Sequence, residues 1–205
     1  TCDASSWVSL PAAGPGFVRV GDAGVTLDPL SSQGVQAAIA SSLQAAVVVN
    51  TMLRRPASAC LAADFYNARQ TELAAAHHST ASGSYRDMLR RFDSAFWRMR
   101  GADAPSSRHP AVTTALQAEQ RIKLAAGAAI RPAAVAAGDF IEERPALHHH
   151  AMDRPVAYVA GVALAPLLQN LAGERTAAAL LQEWGRTHPP DTCRTIANWL
   201  WQNEM

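Results

Sequence analysis

Two carboxylates and three glycines lie close together between Gly21 and Val35, where the chain reads GDAGVTLDPLSSQGV. Just before them, Phe17 to Val20 alternates apolar and polar residues as a short strand does, so Asp22 is predicted at the carboxyl end of that strand. Nucleotides bind at that edge of open α/β sheets, and a carboxylate there can accept hydrogen bonds from ribose or ribityl hydroxyl groups. The spacing therefore predicts that Asp22 contacts a nucleotide cofactor.

The second half of this segment, Asp28 to Gly34, precedes an uninterrupted helical pattern from about Val35 to Leu53. The unpaired N–H groups and positive dipole end of a helix favour an anion or an electron-rich carbonyl, such as the pyrimidine edge of a flavin ring. Gly34 has no Cβ, which would allow the backbone to approach a cofactor closely. The alternative is that Pro, Ser and Gly here are ordinary turn and cap residues.

The complete string resembles the GDA-x4-DPL-S-x-QG pattern of FAD-dependent oxidoreductases, which include aromatic hydroxylases and flavin-dependent halogenases. The resemblance implies that Asp22 touches the ribityl chain and that the backbone at Pro29 and Gly34 lies along the flavin. Residues 14–20, reading GPGFVRV, match the family's turn into the strand, and Phe96 to Arg100 resembles its Phe-Trp-x-x-Arg element. The cofactor contacts expected from the resemblance are Gly21, Asp22, Ala23, Asp28, Pro29, Ser32, Gln33, Gly34 and Val35.

This resemblance implies an FAD-dependent monooxygenase that receives electrons from NAD(P)H and hydroxylates an aromatic substrate through a flavin C4a-hydroperoxide. The substrate would be a small aromatic molecule or a peptide-bound tryptophan. Halogenases of the family usually carry Ser-Thr-Gly at the positions of Ser32, Gln33 and Gly34, and the Thr-Gly backbone is linked there to halide binding. Gln33 therefore favours hydroxylation. A portion of a halogenase and a non-catalytic helical docking module are the alternatives.

No G-x-G-x-x-G motif follows a strand anywhere in the 205 residues, so the ADP-binding half of an FAD site is not encoded here. The sequence is therefore expected to be a carboxy-terminal portion, inactive alone. Its expected partner is the amino-terminal FAD-binding half of the same protein.

The predicted fold class is mixed α/β and mostly helical, in three segments. Residues 1–55 would end an FAD-binding domain, 56–130 would be helical, and 131–205 would form a small α+β subdomain. The helical segment is predicted to start at Pro56, to be interrupted by the polar stretch 77–84, and to resume from Tyr85 to Met99. Most of the residues Tyr85, Phe92, Phe96 and Trp97 would then share one helix face.

Beyond a boundary loop at 101–110, a helix is predicted over 112–129, followed by strands at 139–142 and 155–159. Helices are predicted at 164–171, 175–184 and 192–201. The predicted core of this last segment consists of Leu180, Leu181, Trp184, Ile196, Leu200 and Trp201.

Composition argues against several other functions. The net charge is +1 and the arginines are dispersed, which argues against nucleic-acid binding. The three cysteines and the histidine clusters at 77–78 and 148–150 lack metal-ligand spacing, so no metal site is expected. Polar residues interrupt the apolar run 35–53, which predicts a buried helix instead of a membrane span. A cytoplasmic location is expected.

Overall fold

The computed structural model describes residues 6–102, 116–169, 171 and 173–205. About 51% of the chain is helical and the sheets are small, which confirms the mixed α/β class. Contacts divide the chain into a first unit, residues 1–107 with 134–142, and a second unit, residues 108–133 with 143–205. This division rests on contacts between residues, whereas the three predicted segments were defined by their expected roles. The three segments therefore stay a prediction.

Short antiparallel strands begin the first unit. Strand β1 (Trp7–Val8) pairs with β4 (Val25–Thr26), and β2 (Ala13–Gly14) pairs with β3 (Phe17–Val18). The predicted strand 17–20 therefore ends at Val18. Residue 21 takes a left-handed φ of 58° and starts a 3-10 turn over Gly21–Ala23. Asp22 lies in that turn, and the prediction that it stands at the edge of an open sheet is wrong.

Three helices complete the main body of this unit: α1 (Gly34–Arg54), α2 (Ala59–Leu89) and α3 (Ala95–Gly101). The prediction of a helix over 35–53 is confirmed by α1. A 3-10 turn at Pro56–Ser58 leads into α2, as proline at a helix start predicts. The core lies where α1 and α2 pack together, and it contains Ala12, Ala13, Ala45, Val48, Ala62, Tyr66 and Ile141.

Helix α2 continues through the polar stretch 77–84, where an interruption was predicted. The hydroxyl groups of Thr80 and Ser84 donate to carbonyls one turn earlier, so these two side chains are satisfied within the helix, and Ser82 is buried. The chain turns only after residue 89, which places Phe92 between α2 and α3. The prediction that most of the residues Tyr85, Phe92, Phe96 and Trp97 share one helix face is therefore wrong.

Helix α1 is less buried than predicted. Its inner face packs on α2 through Ala45 and Val48, whereas its outer face is apolar and exposed. We call this outer face the exposed apolar face; it consists of Val35, Ile39, Leu43, Val49 and Leu53. In the described part of the chain, α1 is also the one helix long and apolar enough to cross a bilayer, a criterion that core helices of soluble proteins also meet. An apolar face of this extent is typical of a surface that another protein segment covers.

The second unit begins with β5 (Arg121–Ile122), which pairs with β10 (Arg175–Thr176). Strands β6 (Ala129–Ala137) and β7 (Phe140–His148) form a hairpin whose tip belongs to the first unit, and β8 (Tyr158–Val159) pairs with β9 (Val162–Ala163). Helices α4 (Leu164–Gln169), α5 (Ala177–Trp184) and α6 (Pro190–Gln202) complete it.

The core of the second unit agrees with the prediction. Leu180, Trp184, Ile196 and Leu200 are buried, and Leu181 packs against them while half-buried. Trp201 is also half-buried, and it lines a small apolar cavity.

The helix predicted over 112–129 is wrong for its described part. Residues 116–128 contain turns and β5, and residue 129 begins β6. Backbone carbonyls at 118 and 120 accept from the amides of Ala178 and Ala177, so this segment pairs with a part of the chain more than fifty residues later. The positive φ of Gly127, 88°, also does not fit a helix. The remainder of that helix, 112–115, and residues 103–110 of the predicted boundary loop lie outside the described residues.

Candidate functional site

The turn Gly21–Ala23 is held against α1 and α2 by buried polar side chains. The Gly21 amide donates to Ser41 Oγ at 3.2 Å, and Ser41 Oγ donates to the Ala38 carbonyl at 3.0 Å. From α2, the Tyr66 hydroxyl donates to the Arg19 carbonyl at 2.9 Å. Burial raises the pKa of Tyr66, so its hydroxyl stays protonated and able to donate. These contacts fix the position of the turn.

Gly21 is required for this close approach. A Cβ at residue 21 would lie 3.3 Å from the Ala38 Cβ, and its φ of 58° is in the left-handed region. We expect Gly21→Ala to lower the free energy of unfolding by about 2–3 kcal/mol, because backbone strain and crowding add. Gly138→Ala is the matched control, since residue 138 has φ 59° and nothing within 4 Å of an added Cβ. Urea unfolding would show a loss of only about 1–2 kcal/mol for the control; equal losses would contradict the crowding.

Asp22 is exposed at the centre of this turn, and Ala23 beside it is also exposed. The Asp22 backbone carbonyl accepts from Thr26 Oγ1 at 3.2 Å. Within residues 6–102, no hydrogen bond or ion pair engages its carboxylate. The turn therefore presents a fixed carboxylate that can accept hydrogen bonds from a ligand.

Asp28 has a different environment from Asp22. Its side chain is buried, caps the 3-10 turn Pro29–Ser31 by accepting from the Leu30 amide at 2.9 Å, and accepts from the Tyr85 hydroxyl at 2.8 and 3.0 Å. Arg100 Nη1 lies 3.4 Å from its Oδ2. The structure thus uses this carboxylate as an internal anchor of the loop. Direct contact of Asp28 with a cofactor stays a prediction.

Tyr85 lies in a small aromatic cluster between α2 and α3. Its ring centroid is 6.3 Å from that of Phe96 and 5.8 Å from that of Trp97, and Arg100 lies over the Phe96 and Tyr85 rings at 4.9 and 5.4 Å. Burial raises the pKa of Tyr85. Its hydrogen bond to Asp28 and the negative charge of that carboxylate raise the pKa further. The sequence did not reveal this role of Tyr85. The two motifs read separately in the sequence, DPL and Phe-Trp-x-x-Arg, meet here.

Helix α1 begins directly after this loop, at an exposed terminus. Ser32, Gln33, Gly34 and Val35 are all exposed, and the Gln33 side chain makes no capping hydrogen bond. The first intrahelical bond runs from Ala37 N to Gln33 O, so the amides of residues 34–36 are left without helical acceptors. A Cβ at Gly34 would meet nothing within 4 Å. The loop therefore presents backbone donors to open space.

These features fit one side of FAD. The exposed carboxylate of Asp22 suits a ribityl hydroxyl, and the open α1 terminus suits the electron-rich edge of the flavin ring. Gly21 and Ala23 flank Asp22 in the turn, and Pro29 is exposed in the loop that precedes α1. The structure thus brings the predicted residues into one turn, one loop and one helix start, with Asp28 facing the protein interior.

An apolar cleft of about 460 Å³ lies at the other end of α1, lined by residues 14–18, 49, 52, 53, 59, 60 and 63. All of these side chains are apolar or, at Cys60, weakly polar, so the cleft has no charged group to orient a ligand. Among the residues described by the structure, no group of three or more His, Cys, Asp and Glu side chains could hold a metal ion. Gly21–Val35 is therefore the candidate site.

Comparison with known proteins bears on the relationship of the chain to flavin enzymes. No family model matches the chain. It is 43% identical over 61 residues to a tryptophan 2-halogenase of Chondromyces crocatus, a stretch that covers 30% of this chain and 12% of the halogenase. It is also similar, with a TM-score of 0.72 and 25% identity, to the solved structure of the peptidyl tryptophan dihydroxylase QhpG, which is essential for tryptophylquinone cofactor biogenesis. Both matches support a flavin-dependent halogenase and hydroxylase-like superfamily for this chain.

This assignment confirms the resemblance read from the sequence. The structural match covers 98% of this chain but only 44% of the dihydroxylase, so the chain spans less than half the length of that relative. The superfamily consists of flavin enzymes, which supports an oxidoreductase and a flavin cofactor for the protein to which these residues contribute.

Proposed function

We propose that this chain contributes the flavin-facing turn, loop and helix of an FAD-dependent monooxygenase that hydroxylates an aromatic substrate, with a tryptophan side chain in a peptide as the favoured class. The observation that carries the proposal is the backbone likeness, over nearly the whole chain, to a peptidyl tryptophan dihydroxylase. Gln33, at the position where the family's halogenases usually have Thr, supports hydroxylation over halogenation.

In this proposal the chain binds and orients the cofactor. Asp22 accepts a hydrogen bond from a ribityl hydroxyl, while the amides at the start of α1, with Gly34 open in front of them, face the carbonyl edge of the ring. When bound, FAD would supply the oxygen chemistry after reduction by NAD(P)H. Preorganised N–H donors at that edge stabilise negative charge without rearrangement.

A second part of the proposal concerns the partner. An amino-terminal FAD-binding half of the same protein would supply the ADP site and cover the exposed apolar face of α1. The exposure of Ile39 and Leu43, 59% and 68%, supports this covering. We call the product of this association the assembled flavoprotein. We propose that it is cytoplasmic and associates with neither nucleic acid nor a membrane.

Two other functions remain as alternatives. Identity to a tryptophan 2-halogenase favours a halogenating enzyme, and the exposed apolar face favours a non-catalytic docking module. A direct test is to incubate the assembled flavoprotein with NAD(P)H, oxygen, chloride, bromide and a tryptophan-containing peptide. The mass of the peptide is then measured by mass spectrometry. Gain of oxygen supports hydroxylation, gain of halogen supports the halogenase alternative, and an unchanged peptide with no flavin absorption supports the docking module.

Asp22→Ala tests the binding role. We expect the dissociation constant of FAD to rise about tenfold to a hundredfold, because one hydrogen bond to a charged acceptor is lost. The rate constant for hydroxylation by the FAD-loaded enzyme should change little, because the carboxylate contacts the ribityl chain and not the reacting ring. Fluorescence titration measures the affinity. Asp64→Ala, at an exposed position of α2, is the control; equal affinities in the two variants would remove Asp22 from the site.

A further inference from the structure

We propose that Tyr85 and Arg100 are positioning residues for the flavin-facing loop, and that they act on it through the carboxylate of Asp28. Only the part of this inference that concerns the cofactor rests on the proposed function. The contacts that hold the loop are all made by residues of this chain and do not depend on a cofactor.

The argument begins with the donors around one buried carboxylate. Asp28 receives the Tyr85 hydroxyl at 2.8 Å and the Leu30 amide at 2.9 Å, and the Arg100 guanidinium lies 3.4 Å away. Hydrogen bonds to an ionised acceptor are about twice as strong as neutral ones. A buried carboxylate that loses a partner also keeps its desolvation cost. The loop is therefore held tightly at Asp28.

This contact controls the rest of the loop because the loop has few other attachments to the residues that the structure describes. Pro29, Leu30, Ser32 and Gln33 are all exposed, and only six positions separate Asp28 from Gly34. The Asp28 side chain caps the 3-10 turn, and the Ser32 amide closes it on the Pro29 carbonyl at 3.1 Å. The direction in which the first amides of α1 point thus depends on where Asp28 is held.

Arg100 supports Tyr85 as well as Asp28. Its guanidinium lies over the rings of Phe96 and Tyr85, and Phe96 meets Tyr85 edge to face at 88°. The ring of Tyr85 is therefore fixed on two sides, and its hydroxyl is aimed at the carboxylate. In this arrangement Phe96 and Arg100 order the cofactor loop without any contact with the cofactor.

The first experiment uses the chain alone and measures hydrogen–deuterium exchange of its backbone amides. Tyr85→Phe keeps the ring and its contacts with Phe96 and removes only the donor. We expect the hydrogen-bonded amides of Leu30 and Ser32 to exchange about tenfold faster, the effect of losing one charge-assisted bond. Tyr158→Phe, an exposed tyrosine of the second unit, should leave them unchanged. Unaltered exchange in Tyr85→Phe would overturn the proposal whether or not the protein binds FAD.

A double variant tests the route through the carboxylate. Asp28→Ala should by itself accelerate exchange in the loop, and adding Tyr85→Phe should then change it little, because the acceptor of the Tyr85 hydroxyl is already absent. If the acceleration in the double variant equalled the sum of the accelerations in the two single variants, Tyr85 would act by another path. That result would overturn the proposed route.

The second readout is the bound flavin. In the assembled flavoprotein, Tyr85→Phe and Arg100→Gln should each raise the dissociation constant of FAD about tenfold and shift its visible absorption band, since the amides no longer face the ring edge correctly. Arg100→Lys should recover part of the loss. Arg98→Gln, which changes an exposed arginine paired with Asp93, is the control.

The two proposals fail in different ways. Faster loop exchange in Tyr85→Phe with unchanged FAD affinity and spectrum would overturn the positioning role. Wild-type protein that takes up no FAD would contradict the proposed function, whereas the exchange experiment would still decide whether Tyr85 and Asp28 order the loop.

Discussion

Gly34→Leu is expected to weaken FAD binding by the assembled flavoprotein roughly a hundredfold, or about 2.7 kcal/mol, while the chain keeps its stability. Among the described residues, an added Cβ at residue 34 meets nothing within 4 Å, so packing against them does not require a glycine there. Residue 34 is also the first residue of α1, where leucine is a better helix former than glycine. The space in front of it is where we place the flavin ring.

Gly83→Leu is the matched control for this experiment. Residue 83 lies inside α2, and a Cβ there also meets nothing within 4 Å, so both variants add the same side chain to a helix in open space. Both chains should unfold at the same or a higher urea concentration than the wild type. Only Gly34→Leu should lose FAD in a fluorescence titration. Equal FAD affinity in both variants would place the cofactor elsewhere.

A chain carrying both Ile39→Glu and Leu43→Glu is expected to fold normally but to fail to join its FAD-binding half. Both residues are exposed, so the free energy of unfolding should change by no more than about 0.5 kcal/mol. Association should weaken by about 1,000-fold or more, because apolar burial is lost and two charges would have to be desolvated. Analytical ultracentrifugation of the two halves measures this, and the isolated chain should also aggregate less.

Thr71→Glu combined with Ala75→Glu provides the comparison. It adds two charges with the same four-residue spacing to exposed positions of α2, away from the exposed apolar face. This pair should leave association intact. If both pairs weaken association equally, net charge is the cause; if neither does, the partner does not cover α1.

Local signals in the sequence were sufficient for part of this structure. Helix α1 was predictable because an uninterrupted apolar pattern ends at two arginines and a proline, and the core of the second unit was predictable because apolar residues recur at helical spacing. The GDA and DPL motifs pointed to the superfamily that the comparisons support, and the site at residues 21–35 stays a prediction. The cofactor contacts themselves stay predictions.

Long-range pairing decided what the sequence could not reveal. The segment 116–128 contains many alanines, yet its carbonyls pair with the start of α5, a partner that local propensity does not encode. The stretch 77–84 contains weak helix formers but remains helical, because Ser82 is buried and α3 packs along α2. In the same way, the anchoring role of Asp28 could not be predicted locally, because Tyr85 lies 57 positions later in the sequence.

The same sequence separations determine when the site can form during synthesis. The GDA turn becomes anchored once Tyr66 is available, 47 residues after Arg19, whereas the DPL loop needs Tyr85 and then Arg100, 57 and 72 residues after Asp28. The additional loop-closure entropy from 47 to 72 residues is only about 0.4 kcal/mol, so distance adds little thermodynamic cost. It does impose an order: during synthesis the residues that anchor the GDA turn are complete before those that anchor the DPL loop.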